Sequence, residues 1–234
     1  MKPRTLLLLH GALGSRSQFE TLVPLLDREV DVRTPEFEGH GSEPDPGRGF
    51  RVGHFVGNIT GYMDREGIDR ASIFGYSLGG FVGLALAAEY PRRVAGVFTL
   101  ATKILWTTEV ALKEAGQCDA EKIIAKVPQF AAELERRHPV AGWRSVLDNT
   151  RGFLLELGIH NPLQHETLAR IQAPVRIGCG ENDPLVPPAE ASAVSGMIPG
   201  STVEVFPASP HAFERYSSEA LAASIVSFVR SLDT

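Results

Sequence analysis

Residues 71–80 read Ala-Ser-Ile-Phe-Gly-Tyr-Ser-Leu-Gly-Gly. An apolar, strand-like run ends in Gly75-Tyr76-Ser77-Leu78-Gly79, which has the form G-x-S-x-G, and a helix-like run rich in small residues follows. A turn of this form between strand and helix holds its serine in a strained conformation and lifts the hydroxyl clear of the sheet. A Cβ at Gly75 or Gly79 would collide across so tight a turn. An exposed hydroxyl at a helix N-terminus is a candidate nucleophile, provided that a base lies within reach. The alternative is a structural serine in a glycine-rich turn, and the rest of the chain has to decide between them.

Short apolar runs recur on both sides of that turn: Thr5–Leu9, Val30–Thr34, Ala71–Tyr76, Val94–Leu100, Val175–Gly180 and Thr202–Phe206. Most are continuous rather than alternating, as expected of strands covered on both faces. Helical patterns lie between them. Ser17-x-x-Glu20 predicts a capping box opening a helix to about Leu26. Val52–Glu66, Leu78–Glu89 (stopped by Pro91) and Ser217–Leu232 complete the alternation. Strands alternating with helices predict a parallel α/β sheet. The rhythm breaks at Lys103–Ile171, too long for one crossover, where helices are predicted at Asp119–Lys126, Pro128–Arg137, Trp143–Leu157 and Leu163–Ile171. This segment reads as an insertion over one end of the sheet within a single domain spanning 1–234; a separate small helical domain is the alternative.

A base and an orienting acid follow the serine in the chain. Asp183 lies just past the fifth strand, in Gly180-Glu181-Asn182-Asp183-Pro184, and His211 just past the sixth, in Ser209-Pro210-His211-Ala212-Phe213. Both fall at strand C-terminal ends, where open α/β sheets gather ligands, and Ser77 falls at the same end. The order Ser, Asp, His suits this architecture. The first strand ends in His10-Gly11-Ala12-Leu13-Gly14. The amides of Ala12 or Leu13, with that of Leu78, are candidate donors to a developing alkoxide.

With these residues in view, the chain resembles the α/β-hydrolases. The resemblance is carried by LLLLHGALGS at 6–15, EFEGHGSEP at 36–44, GYSLGGFVGLALAAEYPRRV at 75–94, GENDPLVP at 180–187 and SPHAFE at 209–214. It implies a mostly parallel six-stranded sheet of order 2-1-3-4-5-6 flanked by helices. It implies Ser77 as nucleophile, His211 as general base, Asp183 as the acid that orients it, and 103–171 as a helical cap shaping the substrate pocket. Many members carry an antiparallel strand pair ahead of the His-Gly turn, whereas only nine residues precede His10 here. The expectation is a shortened sheet whose edge a partner subunit could cover in a homodimer.

The resulting expectation is a serine hydrolase acting on an ester-type bond of a small, largely apolar substrate, with no cofactor. Trp106, Tyr76, Phe37, His40 and Phe213 are candidate pocket residues: Trp106 stands at the entry to the cap, Tyr76 and Phe213 flank catalytic positions, and His40 either lines the pocket or holds the Gly39-His40-Gly41 loop. His10 is expected to be structural, and His54, His138, His160 and His165 to lie on solvent or helix faces. No histidine spacing suits a metal. Carbon–carbon bond hydrolysis, enol-lactone hydrolysis, perhydrolysis and a menaquinone-pathway type of elimination use similar residues. The last resembles enzymes with a substrate-clamping arginine one turn after the serine, where this chain has Phe81. A ligand receptor on the same fold is the reading of a different class.

Composition narrows the field without choosing within it. The 234 residues are 43% apolar and 22% charged, enough for one large core. A formal net charge of −5, without a basic stripe, gives no case for nucleic acid or an anionic membrane. Cys118 and Cys179 make no disulfide framework, and free thiols in a cytoplasmic setting are expected. Lys2 and Arg4 before the leucines imitate a signal peptide, but the apolar run is too short and lacks a cleavage site. No stretch reaches the ~18 apolar residues of a membrane span.

Overall fold

The computed structural model describes residues 4–232, so Lys2 lies outside the described residues. The strands are β1 (Thr5–Leu9), β2 (Asp31–Arg33), β3 (Ala71–Tyr76), β4 (Val94–Leu100), β5 (Val175–Gly180) and β6 (Thr202–Phe206). They form one sheet of order β2-β1-β3-β4-β5-β6, and every pairing is parallel. The helices are α1 (Val23–Leu26), α2 (Val52–Arg65), α3 (Leu78–Glu89), α4 (Thr108–Ala115), α5 (Ala120–Lys126), α6 (Pro128–Arg137), α7 (Trp143–Leu157), α8 (His165–Leu168), α9 (Pro188–Ser195) and α10 (Ser218–Ser231).

The run of leucines in β1 follows from burial on both faces. Leu7 and Leu9 join the core shared with α2, α3 and α9, while Leu6 and Leu8 join the one shared with α1 and α10. Alternate side chains of a strand point to opposite faces, so Ile73 and Phe74 divide the same way, as do Val97 and Phe98. The helix after the serine is buried at every position from Leu78 to Ala87. Its small residues let it lie close on the sheet: a Cβ added at Gly83 would stand 3.0 Å from the Ile73 side chain.

Two sequence expectations are corrected. Ser17 opens no capping box. Ser15 is the N-cap instead, accepting from the Ser17 amide, and the segment forms a short 3₁₀ turn (Arg16–Phe19) before the four-residue α1. The helix expected over Leu163–Ile171 shrinks to His165–Leu168, because Asn161 takes the Leu163 amide into a turn at 2.9 Å. Conversely, α4 was not foreseen. Its apolar pattern is weak, with Leu112 exposed and only Ala111 and Ala115 buried.

The inserted helices have a small core of their own, built from Cys118, Ile123, Ala131 and Leu147. Val146, Phe153 and Leu157 of α7 nevertheless join the main core. The insertion is therefore packed onto the sheet domain rather than standing apart from it.

Candidate active site

Ser77 stands between β3 and α3 with φ 50° and ψ −113°, in the left-handed range that L-residues avoid. The surroundings hold it there. Its amide donates to the Leu100 carbonyl at 2.8 Å, and its carbonyl accepts from the amides of Gly80 and Phe81 at 3.1 Å each. The Thr102 hydroxyl donates to that same carbonyl at 3.1 Å. Close approach of backbone explains the flanking glycines. A Cβ on Gly75 would lie 2.3 Å from the Gly80 nitrogen, and one on Gly79 would lie 2.0 Å from the Leu9 carbonyl oxygen.

Asp183 is 2% exposed, in the turn after β5. Its Oδ2 accepts from His211 Nδ1 at 2.8 Å, and its Oδ1 accepts from the amides of Leu185 and Val186 at 2.9 Å each. Burial pushes the carboxyl up, but the hydrogen bond and charge of His211, with those two amides, outweigh it and hold the group below its ordinary range. The Tyr76 hydroxyl donates to the His211 carbonyl at 3.1 Å. Tyr76 precedes the serine, so this bond ties the histidine loop to the serine turn. Ser77 and His211 line the same cavity, of about 260 Å³.

The turn after β1 closes with the Gly14 amide on the Gly11 carbonyl at 3.0 Å, and Leu13 adopts φ 58°. Gln18 Oε1 takes the Gly11 amide at 3.0 Å. The Leu78 amide heads α3 and has no intrahelical acceptor. Ala12, Leu13 and Leu78 all line the cavity beside Ser77, so the amides proposed as alkoxide donors come from residues gathered around one space.

Sequence reasoning missed what holds this turn. His138, at the C-cap of α6, was expected on a helix face but is 1% exposed. Its Nδ1 accepts from the Gly41 amide at 2.9 Å, so its Nε2 carries the proton and donates to the Leu13 carbonyl at 3.1 Å. Arg137 Nη1 donates to the same carbonyl at 2.9 Å. Burial lowers the His138 pKa and keeps the ring neutral. Ser42, the residue after Gly41, is held by Glu36, whose carboxylate accepts from the Ser42 amide (3.0 Å) and hydroxyl (2.7 Å) and from the Arg16 amide (3.1 Å) and guanidinium (2.8 Å). No local pattern marks His138, because its partners lie 97 and 125 residues away in the chain.

Trp106 and Tyr76 line the cavity, together with Phe81, Phe153, Leu154, Leu157 and Leu185. The other three candidate pocket residues do not line it. Phe37 is fully buried, edge-on to His10 at 4.7 Å. His40 is fully buried and stacks on Phe50 at 4.9 Å. Phe213 is buried and packs against Tyr76 and Phe19. His10 is buried and structural: its Nε2 accepts from the Phe37 amide at 3.3 Å, so Nδ1 donates to the Gly11 carbonyl at 2.8 Å.

Both cysteines are free and buried, and burial raises each thiol to about 11. Among the described residues, no helix is long and apolar enough to cross a membrane, and no group of His, Cys, Asp or Glu is placed to hold a metal ion.

Comparison with known proteins agrees with this architecture. The chain is 24% identical to "Putative carbamate hydrolase RutD" of Shigella flexneri over 248 aligned residues, covering 96% of this chain and 91% of that protein. An esterase from Thermogutta terrifontis superposes with a TM-score of 0.81 at 21% identity, over 100% of this chain and 92% of the other. NosK from Streptomyces actuosus superposes with a TM-score of 0.87 at 19% identity, over the full length of both. At such identities the superpositions establish a shared fold. The family model for the alpha/beta hydrolase fold matches residues 4–132, more than half of the chain, and on that match this protein belongs to the α/β-hydrolase fold family.

Proposed function

We propose that the chain is a serine hydrolase that cleaves an ester-type bond of a small, largely apolar substrate. The observation that carries this reading is the 2.8 Å His211–Asp183 pair on a histidine that shares one apolar-walled cavity with Ser77. The Asp183 carboxylate accepts the Nδ1 proton, which leaves Nε2 free to take the proton of the Ser77 hydroxyl. The serine oxygen attacks the ester carbonyl. The amides of Leu78 and of Ala12 or Leu13 stabilise the tetrahedral alkoxide. His211 then protonates the leaving alcohol, and water repeats the sequence to release the acid. The inserted helices act as the cap, supplying Phe153, Leu154 and Leu157 to the acyl wall. The cavity of about 260 Å³ falls just under the roughly 300–1,000 Å³ of drug-sized sites, which favours a short substrate.

A carbamate is the second reading, favoured by the resemblance to RutD along nearly the whole chain. A fluorophosphonate probe with short p-nitrophenyl esters and matched carbamates tests both. Labelling that is lost in Ser77→Ala, together with ester turnover, supports the first reading, and faster carbamate turnover supports the second. Labelling without turnover of these or of any lactone or thioester would support a ligand receptor on the same fold.

A further inference from the structure

The strap from β4 to α4, residues 101–107, has no regular secondary structure, so its amides need partners from elsewhere in the fold. One carboxylate serves two of them. Glu190, in the first turn of α9, accepts from the amides of Ile104 (3.4 Å) and Leu105 (3.2 Å) and pairs with the Lys103 ammonium. The Lys103 and Glu190 side chains are only 12% and 10% exposed. Two apolar side chains would fill that space without the cost of desolvating charges, but they would leave both amides unpaired.

The strap runs from the serine turn to the inserted helices. At its start the Thr102 hydroxyl donates to the Ser77 carbonyl. At its end Thr107 caps α4 by accepting the Val110 amide at 3.2 Å. Between them stands Trp106, whose Nε1 donates to the Lys103 carbonyl at 3.0 Å and whose amide donates to the Ile104 carbonyl at 3.0 Å. Asn161, beyond α7, donates to that same Ile104 carbonyl at 2.8 Å. Both acceptors used by Trp106 therefore belong to the segment that Glu190 holds. Trp106 lines the cavity with Ser77 and His211, and so does Leu185, in the turn that leads into α9. Glu190 thus joins α9 to the strap that carries the indole.

We propose that Glu190 is a positioning residue: by fixing the strap it fixes the Trp106 indole as the wall that limits substrate length. The substrate clause deepens the hydrolase reading and rests on it. The test compares two double variants of similar bulk. Lys103→Met with Glu190→Gln keeps an acceptor for the two amides, and Lys103→Met with Glu190→Leu does not. The first readout is the ratio of kcat/KM for long over short esters, in one series from p-nitrophenyl acetate to octanoate and another from ethyl to octyl acetate. The second is acrylamide quenching of Trp106 in a Trp143→Phe background, which leaves it the only tryptophan. The glutamine variant is expected to match the wild type in both. The leucine variant is expected to gain on the longest esters of one series by about tenfold and to be quenched more readily. Trp106→Ala should gain on the same series. A leucine variant unchanged in either readout, or a glutamine variant that shifts as far as the leucine one, overturns the role of Glu190. So does Trp106→Ala gaining in neither series. Absence of ester turnover in the wild type, with Ser77 unlabelled by fluorophosphonate, overturns the hydrolase reading instead, and the quenching comparison still decides whether Glu190 holds Trp106.

Discussion

The Leu13 carbonyl accepts a hydrogen bond from His138 Nε2 at 3.1 Å, across 125 residues of chain. The bond joins the end of α6 to the turn that supplies candidate alkoxide donors. His138→Ala would free the Leu13 peptide on one side while Arg137 still holds it. Small displacements at a reacting centre cost rate rather than binding, so kcat is expected to fall by about 10–100-fold with KM little changed. His138→Gln, which can donate to the same carbonyl, should recover part of the loss. Steady-state kinetics on a short p-nitrophenyl ester gives the answer, and a pure KM effect would remove His138 from this role.

Asp183→Asn is a sharper substitution here than charge removal alone. The Leu185 and Val186 amides require an acceptor at Oδ1, so the asparagine NH₂ would face His211 Nδ1. That forces the imidazole proton onto Nε2, where it cannot accept from serine. Turnover is expected to fall by about 10³–10⁴-fold with an unchanged circular dichroism spectrum. Near-normal rates would place the orienting acid elsewhere.

The positive φ of Ser77 predicts a stability difference between two inactive variants. Ser77→Gly and Ser77→Ala both remove the hydroxyl, but only glycine adopts φ 50° without strain. Ser77→Gly should be more stable than Ser77→Ala by about 1 kcal/mol, measured by urea unfolding. Equal stability would mean that the turn relaxes when the serine is lost.

Buried neutral histidines set the onset of acid sensitivity. Burial lowers His10 from 6.5 to about 4 and lowers His40 and His138 as well. The three form one cluster, with ring centroids 5.1 Å apart for His10–His40 and 5.7 Å for His40–His138. A lowered histidine pKa means that the unfolded chain takes up the proton first. Stability is therefore complete above about pH 6.5 and drains as the pH falls toward 4, with His10 alone contributing about 3 kcal/mol over that window. Urea midpoints should stay level from pH 8 to about pH 6.5 and fall from there to pH 4.5, and a flat profile down to pH 5 would contradict the burial of this cluster.

Glu36 acts in a lower window. Burial alone would raise its carboxyl, but the hydrogen bonds from Arg16 and Ser42 prevail and hold it at about 2. A depressed carboxyl stabilises the fold above its unfolded pKa and loses that contribution as the pH falls through the folded value. Because the Arg16 partner is exposed and screened by solvent, Glu36→Gln should cost about 1–2 kcal/mol at pH 7. The gap from wild type should close between about pH 4.5 and 2. A pH-independent gap would point to lost packing instead.

The parallel pairing and the strained serine turn were legible because each rests on local chemistry, whereas the strand order followed only from the resemblance to the α/β-hydrolases. Continuous apolar runs mark strands covered on both faces, and glycines at fixed offsets mark a turn that tolerates no Cβ. Ser77, Asp183 and His211 were legible for the same reason, each sitting at a strand end. Which side chains reach the cavity was not, since Phe37, His40 and Phe213 are buried in the core instead. Only the tertiary structure decided that His138 would brace the Leu13 turn and that Lys103 would be neutralised by Glu190. Each of those relationships joins segments whose distance in the chain carries no periodic signal, and burial against those segments, rather than residue type, gives the side chains their roles.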